Sequence, residues 1–515
     1  MGLPPALGLL VALALLPTAS LLPVNEKGHF LVLPPEWKLE DGSSRRSGPQ
    51  DEGGLDDPRY ITHKEVNHEH TPSTESAAVS MMLVGAVVFN ICLFYLFNFP
   101  DVDIRAQSWK VLSMTVSIFS AVLLYTSMKA LLMEVLSVSS GTIGRTILNL
   151  ALFLVLFVTL QVALFFLKRK DQRMQLAAAS RLVAHLAGFS AMYGFAGLQT
   201  FLEGSRSNLL SAILTTAAAT VSTVGLALIA STVRNQIAMA DDGVIDDDEE
   251  EWMDEVRDAE NDVLSLSLGF LVMQCVRCYI AGELQPYKPP DQPLPEITQA
   301  KTNQLLLWGT FFAGMTFIST WLVGRLKRYE EGSGGTTFSA TQSDHAVDGL
   351  AAVRYAKVGQ NVFAMAMAWT FLFWGEWQIY TAGFNGQRIT GCLFLALGLL
   401  CLSLVFVFVL DAAADREMLD PEALRSLILA LGVLVGISWE KAFHVSVEEV
   451  AHIGTVWGLD RALTCHMLGV SLAFLVIPAW RFYILPRSLD EGGGAAGQLK
   501  SKVGARPSVD YGGAY

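Results

Sequence analysis

The sequence has 515 residues, of which 52% are hydrophobic and only 17% are charged. Soluble domains carry about 25% charged residues, so this composition indicates a polytopic membrane protein. The formal net charge is −13, and the absence of a large basic cluster from the sequence argues against nucleic-acid binding. The six cysteines lie in or beside apolar segments, which argues against a disulfide-stabilised extracellular domain.

The N-terminal region combines a short apolar run with a polar segment. Residues 1–20 end in small residues and predict a signal peptide, with an uncleaved signal anchor as the alternative. Residues 21–76 contain Pro, Gly and mixed charge, and we expect a largely disordered outer or lumenal segment there. His63, His68 and His70 belong to this segment and are expected to be part of an unstructured tail rather than metal ligands.

Eleven apolar segments of membrane-spanning length follow, which predicts an all-α bundle of about eleven transmembrane helices over 77–484. After the first helix, the other ten can be arranged as five hairpins, so internal hairpin repeats are a possible feature. The predicted spans are 77–99, 109–135, 145–167, 177–202, 209–233, 263–281, 304–324, 360–382, 388–410, 423–443 and 462–484.

Basic residues follow three odd-numbered helices and predict the orientation of the bundle. They occur between Lys168 and Arg173, between Arg325 and Arg328, and at Arg481 and Arg487. Short cytosolic loops are enriched in Lys and Arg, so the C-terminus is predicted in the cytosol and the N-terminus outside. This orientation fits a signal peptide and places the protein in a membrane of the secretory route, either the plasma membrane or an endomembrane.

Three cytosolic segments are predicted outside the spans: an acidic loop at 234–262, a flexible loop at 325–359 and a disordered tail at 485–515. Thirteen acidic residues occur between Asp241 and Asp262. A calcium-binding EF-hand loop is excluded, because placing Gly243 at its sixth position puts Ala238 and Ala240 where oxygen ligands belong. We expect a solvated acidic linker, with docking of a cytosolic partner as the alternative.

The even-numbered helices become polar toward their predicted outer ends. Ionisable residues at membrane depth usually face the bundle interior or water, so these side chains could line an outward-facing vestibule that binds a solute or ion. The alternative is an ordinary polar rim, because Trp374 and Trp377 bracket Glu376 and aromatic residues favour the headgroup level. The candidate binding residues are Lys129, Gln199, Arg277, Glu376, Gln378 and Glu440.

The stretch WEKAFHVSVEEVAH (439–452) carries Glu440, His444, Glu448 and His452 four residues apart. Carboxylate and imidazole ligands suit a transition metal, but each i+4 step over-rotates by about 40°, so one ion cannot engage all four side chains. The sequence favours an amphipathic helix on the outer surface. In that interpretation His444 and Glu448, with His452, remain the candidate metal ligands, and the first two form a metal- or pH-sensitive lip.

Two further groups could bind metal or haem. Cys275 and Cys278 lie one helical turn apart, and Cys465 and His466 are predicted at a similar depth. A zinc site would require contact between helices 6 and 11, which the sequence does not show. The alternative is that the cysteines are buried structural thiols, which needs no such contact. His185 is expected to be a hydrogen-bonded core residue, because topology separates it in depth from His466.

The sequence contains no phosphate-binding loop, dinucleotide fingerprint, HExxH or GxSxG motif. The leading hypothesis is therefore a transporter or channel-like protein for a small solute or ion, embedded in the lipid bilayer and requiring no cofactor. A non-transporting scaffold or receptor that acts through its acidic and flexible cytosolic loops is the alternative. A membrane-embedded metal or redox enzyme is the third possibility.

Overall fold

The computed structural model describes most of the predicted membrane domain. The predicted signal peptide, most of the segment 21–76 and the tail beyond residue 489 lie outside the described residues, as do His63, His68 and His70. The described residues are 74–136, 142–168, 173–202, 208–240, 245–284, 297–333, 343–381, 388–416, 421–456, 458 and 460–489.

These residues form eleven long helices and no strand, and each helix contains most of one predicted span, with α6, α8 and α10 extending more than ten residues beyond theirs. The all-α architecture is therefore confirmed. The helices are α1 Thr74–Phe97, α2 Val102–Val135, α3 Thr142–Phe166, α4 Arg173–Leu202, α5 Asn208–Ala238, α6 Asp247–Ala281, α7 Gln299–Ser333, α8 Ser343–Thr381, α9 Arg388–Asp415, α10 Pro421–Val456 and α11 Arg461–Ala479. A π-helical turn, Trp480–Ile484, continues α11.

Eight of the described helices are long and apolar enough to cross a membrane: α2, α3, α5, α6, α7, α9, α10 and α11. Helix α1 has a shorter apolar part, Met82–Phe97. Helices α4 and α8 are as long as the others but carry many small, polar and aromatic residues, which lower their mean hydropathy. The chain is a multi-pass membrane protein, and hydropathy alone does not identify every helix of its bundle.

The even-numbered helices form an inner ring. Helix α2 packs on α4, α4 on α6, α6 on α8, α8 on α10, and α10 returns to α2. The odd-numbered helices pack outside this ring, with α3 on α4, α5 on α6, α7 on α8, α9 on α10 and α11 on α2. The ten helices from α2 to α11 are thus five inner and five outer elements.

Burial separates the inner helices from the outer ones. In the apolar windows of α6 and α10, 83% and 78% of the residues are buried, compared with 28% in α5 and 22% in α11. The outer helices expose large apolar side chains such as Val221 and Phe474. Such surfaces are energetically favourable against lipid and unfavourable against water, so the outer helices are the lipid-facing layer.

Glycines allow the inner helices to approach closely. A Cβ atom added to Gly269 on α6 would lie 2.6 Å from the Cβ of Met365 and 3.0 Å from the backbone nitrogen of Ala366, both on α8. On α10, Gly432 and Gly436 form a GxxxG pattern, and an added Cβ on Gly436 would lie 3.0 Å from the carbonyl oxygen of Thr115 on α2. Small residues at these seams let backbones touch, as in many membrane helix pairs.

The predicted acidic loop at 234–262 is mostly helical, which corrects the prediction of a solvated linker. Helix α5 continues to Ala238 and α6 begins at Asp247. The Asp246 carboxylate accepts a hydrogen bond from the backbone N–H of Glu249 at 2.7 Å, and the Glu249 carboxylate accepts one from the Asp246 N–H, which is a capping box. Acidic residues also favour the first turn of a helix because of its dipole.

Ion pairs to neighbouring helices fix this acidic part of α6. Glu249 lies 3.2 Å from the Lys168 ammonium, and Glu251 lies 2.6 Å from the Arg173 guanidinium. Glu260 is fully buried and pairs with Arg234 of α5. The sequence-based prediction was wrong here because a run of acidic residues is expected to be solvated. Its basic partners lie elsewhere in the sequence, and the pattern alone does not identify them.

Similarly, the predicted flexible loop at 325–359 is shortened by helix at both ends, since α7 extends to Ser333 and α8 begins at Ser343. Residues 334–342 between them lie outside the described residues.

The close approach of α6 and α8 gives the first testable prediction. Gly269→Ala should destabilise the bundle by about 1–3 kcal/mol, because the new methyl group meets backbone that cannot move independently. Its matched control is Gly314→Ala on α7, where nothing lies within 4 Å of an added Cβ. This control should be neutral or slightly more stable. Thermal unfolding of the purified protein in detergent measures both, and equal midpoints would contradict the close contact.

Candidate functional site: a charged cavity and an opposing cluster

A cavity of about 330 Å³ lies at the N-terminal ends of the five inner helices. All five contribute to its wall, so these helices run in the same direction around it. Ser488 and Leu489, which follow the π-helical turn after α11, complete the wall. The lining residues from the inner helices are Lys110, Met114, Ser180, Arg181, Glu255, Asp258, Ala259, Asn261, Asp262, Lys357, Asn361, Ser426, Ile428 and Leu429.

The charges of the cavity are balanced and lie on separate walls. Helices α2, α4 and α8 contribute one basic side chain each, whereas all three acidic side chains come from α6. The basic residues are Lys110, Arg181 and Lys357, and the acidic residues are Glu255, Asp258 and Asp262. Among the described lining residues, three positive and three negative charges cancel in sum but create a field across the space, since opposite charges face it from different helices.

Uncharged polar side chains form another part of the lining. The hydroxyl of Ser426 donates to the side-chain oxygen of Asn361 at 2.6 Å and accepts from Gln360 at 3.2 Å. Asn261 is 4% exposed and also lines the cavity, and its Oδ1 accepts no hydrogen bond from the described residues. A buried amide oxygen without a donor is costly, so this atom is available to a ligand.

Two serine hydroxyls connect helix α4 to other parts of the structure around the cavity. Ser180 donates to the Glu255 carboxylate, which joins α4 to α6. Arg181 donates to the hydroxyl of Ser113 at 3.4 Å, and the indole N–H of Trp480 donates to the same hydroxyl at 3.0 Å. The π-helical turn after α11 is therefore connected to a basic residue of the cavity.

A layer of aromatic side chains lies deeper along the inner helices. Phe270 contacts Trp369 edge to face, with ring centroids 4.9 Å apart, and lies 6.3 Å from Phe373. Phe189 and Ile118 are also almost completely buried and belong to the same hydrophobic cluster. In this structure, packed apolar side chains occupy the middle of the ring.

Charged side chains meet again near the C-terminal ends of α6 and α8 and in the second half of α10. Lys441 forms an ion pair with Glu376, and both side chains are nearly buried. The ammonium of Lys441 lies 4.9 Å from the ring centroid of Phe373, and the Arg277 guanidinium lies 3.9 Å from the same ring. Arg277 also donates to Gln274 at 2.9 Å. We call Arg277, Phe373, Glu376 and Lys441 the distal cluster.

Lys129 lies at the same end of the ring, between α2 and α4. Its ammonium is 5.0 Å from the ring centroid of Tyr193 and 5.7 Å from that of Tyr125. The two tyrosines stack in parallel at 5.0 Å, and the Tyr125 hydroxyl donates to Asn149 at 2.9 Å. Such cation–π contacts stabilise a cation away from water.

The other predicted binding residues occupy different positions. Gln199 is fully buried and donates to Thr216 of α5 at 3.0 Å, so it faces away from the distal cluster. Gln378 accepts a hydrogen bond from Gln299 of α7 at 3.4 Å. Glu440 is 6% exposed and directly precedes Lys441. The structure thus brings Glu376 and Arg277 together around Phe373 and separates them from Gln199.

The four-residue stripe on α10 does not form a joint metal site among the described residues. His444 and Glu448 are half-exposed and 3.2 Å apart, His452 is exposed, and Glu440 is buried. The expected separate surface helix is also wrong, because α10 is continuous from Pro421 to Val456. Phe443 of this stretch packs within the bundle against Phe119 of α2, whereas Val450 further along is exposed.

The cysteines and His185 take structural positions. Cys275 contacts the hydroxyl of Thr216 at 3.4 Å, while α11, which carries Cys465 and His466, packs chiefly on α2 and α10. His185 hydrogen-bonds Ser117 at 3.0 Å, as expected for a core histidine. Within the described ranges, no group of three or more His, Cys, Asp or Glu is placed to bind a metal.

Comparison with family models, curated proteins and solved structures finds no match for this chain. The cavity and the distal cluster are therefore interpreted from their own geometry and chemistry.

Sequence reasoning named Arg277 and Glu376 of the distal cluster as candidate binding residues, but it did not name Phe373 or Lys441 and it missed the cavity. The basic residues of the cavity lie near the start of long helices, where a lysine or arginine is expected at the boundary of any membrane span. The sequence did contain one signal of the cavity. On three inner helices, a charged residue at the cavity is followed nineteen positions later by a charged residue at the opposite end of the ring. The pairs are Lys110 and Lys129, Asp258 and Arg277, and Lys357 and Glu376.

The buried pair of the distal cluster gives a second prediction. Glu376→Gln should destabilise the protein by about 3–5 kcal/mol, because it leaves the Lys441 ammonium buried without its carboxylate. The double variant Glu376→Leu with Lys441→Met should recover most of this loss, since apolar residues of similar volume need no partner.

Thermal unfolding of both variants in detergent measures the effect, with His444→Ala as the control. His444 belongs to a half-exposed i, i+4 pair, whose loss should cost only about 0.5 kcal/mol. A double variant as unstable as the single variant would rule out a stabilising role of the pairing.

Proposed function

We propose that this protein is a transporter or channel-like protein for a small solute or ion, and that the inner ring encloses its pathway. One observation carries the proposal: a polar cavity lined by all five inner helices faces one end of the ring, and the buried distal cluster closes the other. Ionisable residues inside membrane bundles are typical of substrate and ion pathways. All eleven helices cross the membrane in this proposal.

The spacing of charges along the helices supports the crossing of α2, α6 and α8. Nineteen residues of α-helix correspond to about 28 Å at ~1.5 Å per residue. The hydrocarbon core of a bilayer is about 30 Å thick. Charges at Lys357 and Glu376 would therefore lie near its two surfaces, and the low hydropathy of α8 reflects its buried inner face rather than a position outside the membrane.

The orientation follows from the basic residues near the cavity end. Lys168 and Arg173 are paired to the acidic start of α6 at this end, and short cytosolic loops are rich in such residues. In this proposal the cavity opens toward the cytosol, the N-terminus lies outside or in the lumen, and the distal cluster faces that outer side. The membrane is one of the secretory route.

The mechanism follows from the two ends of the ring. A solute enters the cavity and is held below the aromatic layer of Phe270 and Trp369. Release on the other side requires Phe373 to move and the Lys441–Glu376 pair to separate, which exposes these charges to water. Lys129, Arg277 and Glu440 would then line the outward-facing vestibule. Gln199 and Gln378, which bond to α5 and α7, would steady the helices around it.

A partner-docking role for Asp241–Asp262 receives less support from the structure. Glu249, Glu251 and Glu260 of this run are engaged in ion pairs within the chain. The charge of these three residues holds α6 against its neighbours, which weakens the acidic half of the scaffold or receptor alternative and leaves its flexible loop untested.

Flux measurements test the proposal. The full chain is reconstituted in liposomes and screened with ions and small polar solutes, and at least one should cross faster than in protein-free liposomes. The half-buried Lys357, which lines the cavity, is then replaced in Lys357→Cys and labelled with a bulky maleimide. Labelling should reduce the flux about tenfold or more, because the label fills the cavity.

The matched control is Lys301→Cys on α7, which is outside the cavity lining and should keep its flux after the same labelling. Unsubstituted protein treated with the reagent corrects for the native cysteines. Absence of flux for every solute, or equal flux in labelled Lys357→Cys and labelled Lys301→Cys, would contradict the proposed pathway.

A further inference from the structure

We propose that the cavity at the N-terminal ends of the inner helices binds a small zwitterion of the amino-acid type, with one ammonium and one carboxylate group. The inference rests on the proposed function, because it names the substrate class of that pathway. The ammonium would face the acidic wall of α6, and the carboxylate would face the basic side chains of α2, α4 and α8.

The arrangement of charge carries the inference. Asp258 and Asp262 are one helical turn apart on α6, so their carboxylates share a face. Arg181 and Lys357 come from α4 and α8, the two helices that flank α6 in the ring. A guanidinium binds a carboxylate through two parallel hydrogen bonds, and an ammonium binds it as a point charge. Both ends of a zwitterion thus find complementary groups.

The charge balance separates a zwitterion from other solutes. With three acidic and three basic side chains around the cavity, an ion of either sign would add an uncompensated charge to a partly buried space, which is costly. A zwitterion adds none. An uncharged polar solute would also keep the balance, but it would gain no charge–charge attraction from either wall.

Asn261 gives an independent indication of a ligand. It lies on the acidic helix between Glu260 and Asp262, it is 4% exposed, and its Oδ1 accepts no hydrogen bond from the described residues. An ammonium has three N–H donors, and one of them could satisfy this oxygen while the others bond to carboxylates of the same wall.

The size of the cavity fits the same class. A volume of about 330 Å³ is at the lower end of the ~300–1,000 Å³ found for small-molecule sites. It accommodates a single amino acid with its side chain, and the apolar lining of Met114, Ile428 and Leu429 offers contacts to that side chain.

Binding to the full chain in detergent tests the inference with a panel of L-amino acids. Isothermal titration should detect at least one of them. The amide of that amino acid, which lacks the carboxylate, and its N-acetyl form, which lacks the ammonium, should each bind about tenfold more weakly or worse. No binding by any amino acid, or equal binding of the three forms, would overturn the inference.

Variants assign the two ends of the ligand. Lys357→Gln should weaken the unmodified amino acid about tenfold but leave the weak binding of the amide nearly unchanged, and Lys357→Arg should restore binding. Asp258→Asn should weaken the unmodified amino acid about tenfold but leave the weak binding of the N-acetyl form nearly unchanged. Lys301→Gln is the control and should bind as the unsubstituted protein does. Loss of affinity for all three forms in Lys357→Gln would contradict the assignment.

The outcome is distinguishable from a failure of the proposed function. Amino-acid binding without flux in liposomes would retain the zwitterion site and reject transport. Flux of an inorganic ion or an uncharged solute, without amino-acid binding, would retain transport and reject the zwitterion.

Discussion

Burial of charge inside a membrane bundle is the constraint on which this structure depends. A single lysine or glutamate in a low-dielectric interior loses its hydration at a cost of several kcal/mol. The Lys441–Glu376 pair meets this cost by pairing, while Arg277 uses the ring of Phe373 together with Gln274. These partners come from three different helices. Helices α6, α8 and α10 must therefore stay together for these charges to be tolerated.

Helix α6 has a special position in that arrangement. It supplies the acidic wall of the cavity at one end and Arg277 at the other, and it is the most buried of the candidate spans. Gly269 allows it to touch the backbone of α8, which carries Lys357 and Glu376 at corresponding depths. A movement of α6 against α8 would change the cavity and the distal cluster together, because each end contains charged residues of both helices.

The sequence was sufficient for the helices and insufficient for their partners. The apolar segments of the sequence marked the positions of all eleven described helices, and eight of these are long and apolar enough to cross a membrane. The polar ends of α6, α8 and α10 were also found, since charged residues in apolar runs are rare. The pairing of Glu260 with Arg234, the continuity of α10 and the cavity could not be predicted. They depend on which helices are neighbours, and a single sequence does not contain that information.

The closed middle of the ring distinguishes two modes of transport. A permanently open pore requires a water-filled path, whereas Phe270, Trp369 and Phe373 are packed against one another between the cavity and the distal cluster. A charged solute crossing this layer would lose its hydration without replacement. The arrangement therefore favours a mechanism in which the solute is bound at one end while the other is shut. In the transport function proposed above, the Lys441–Glu376 pair would open only as the cavity closes.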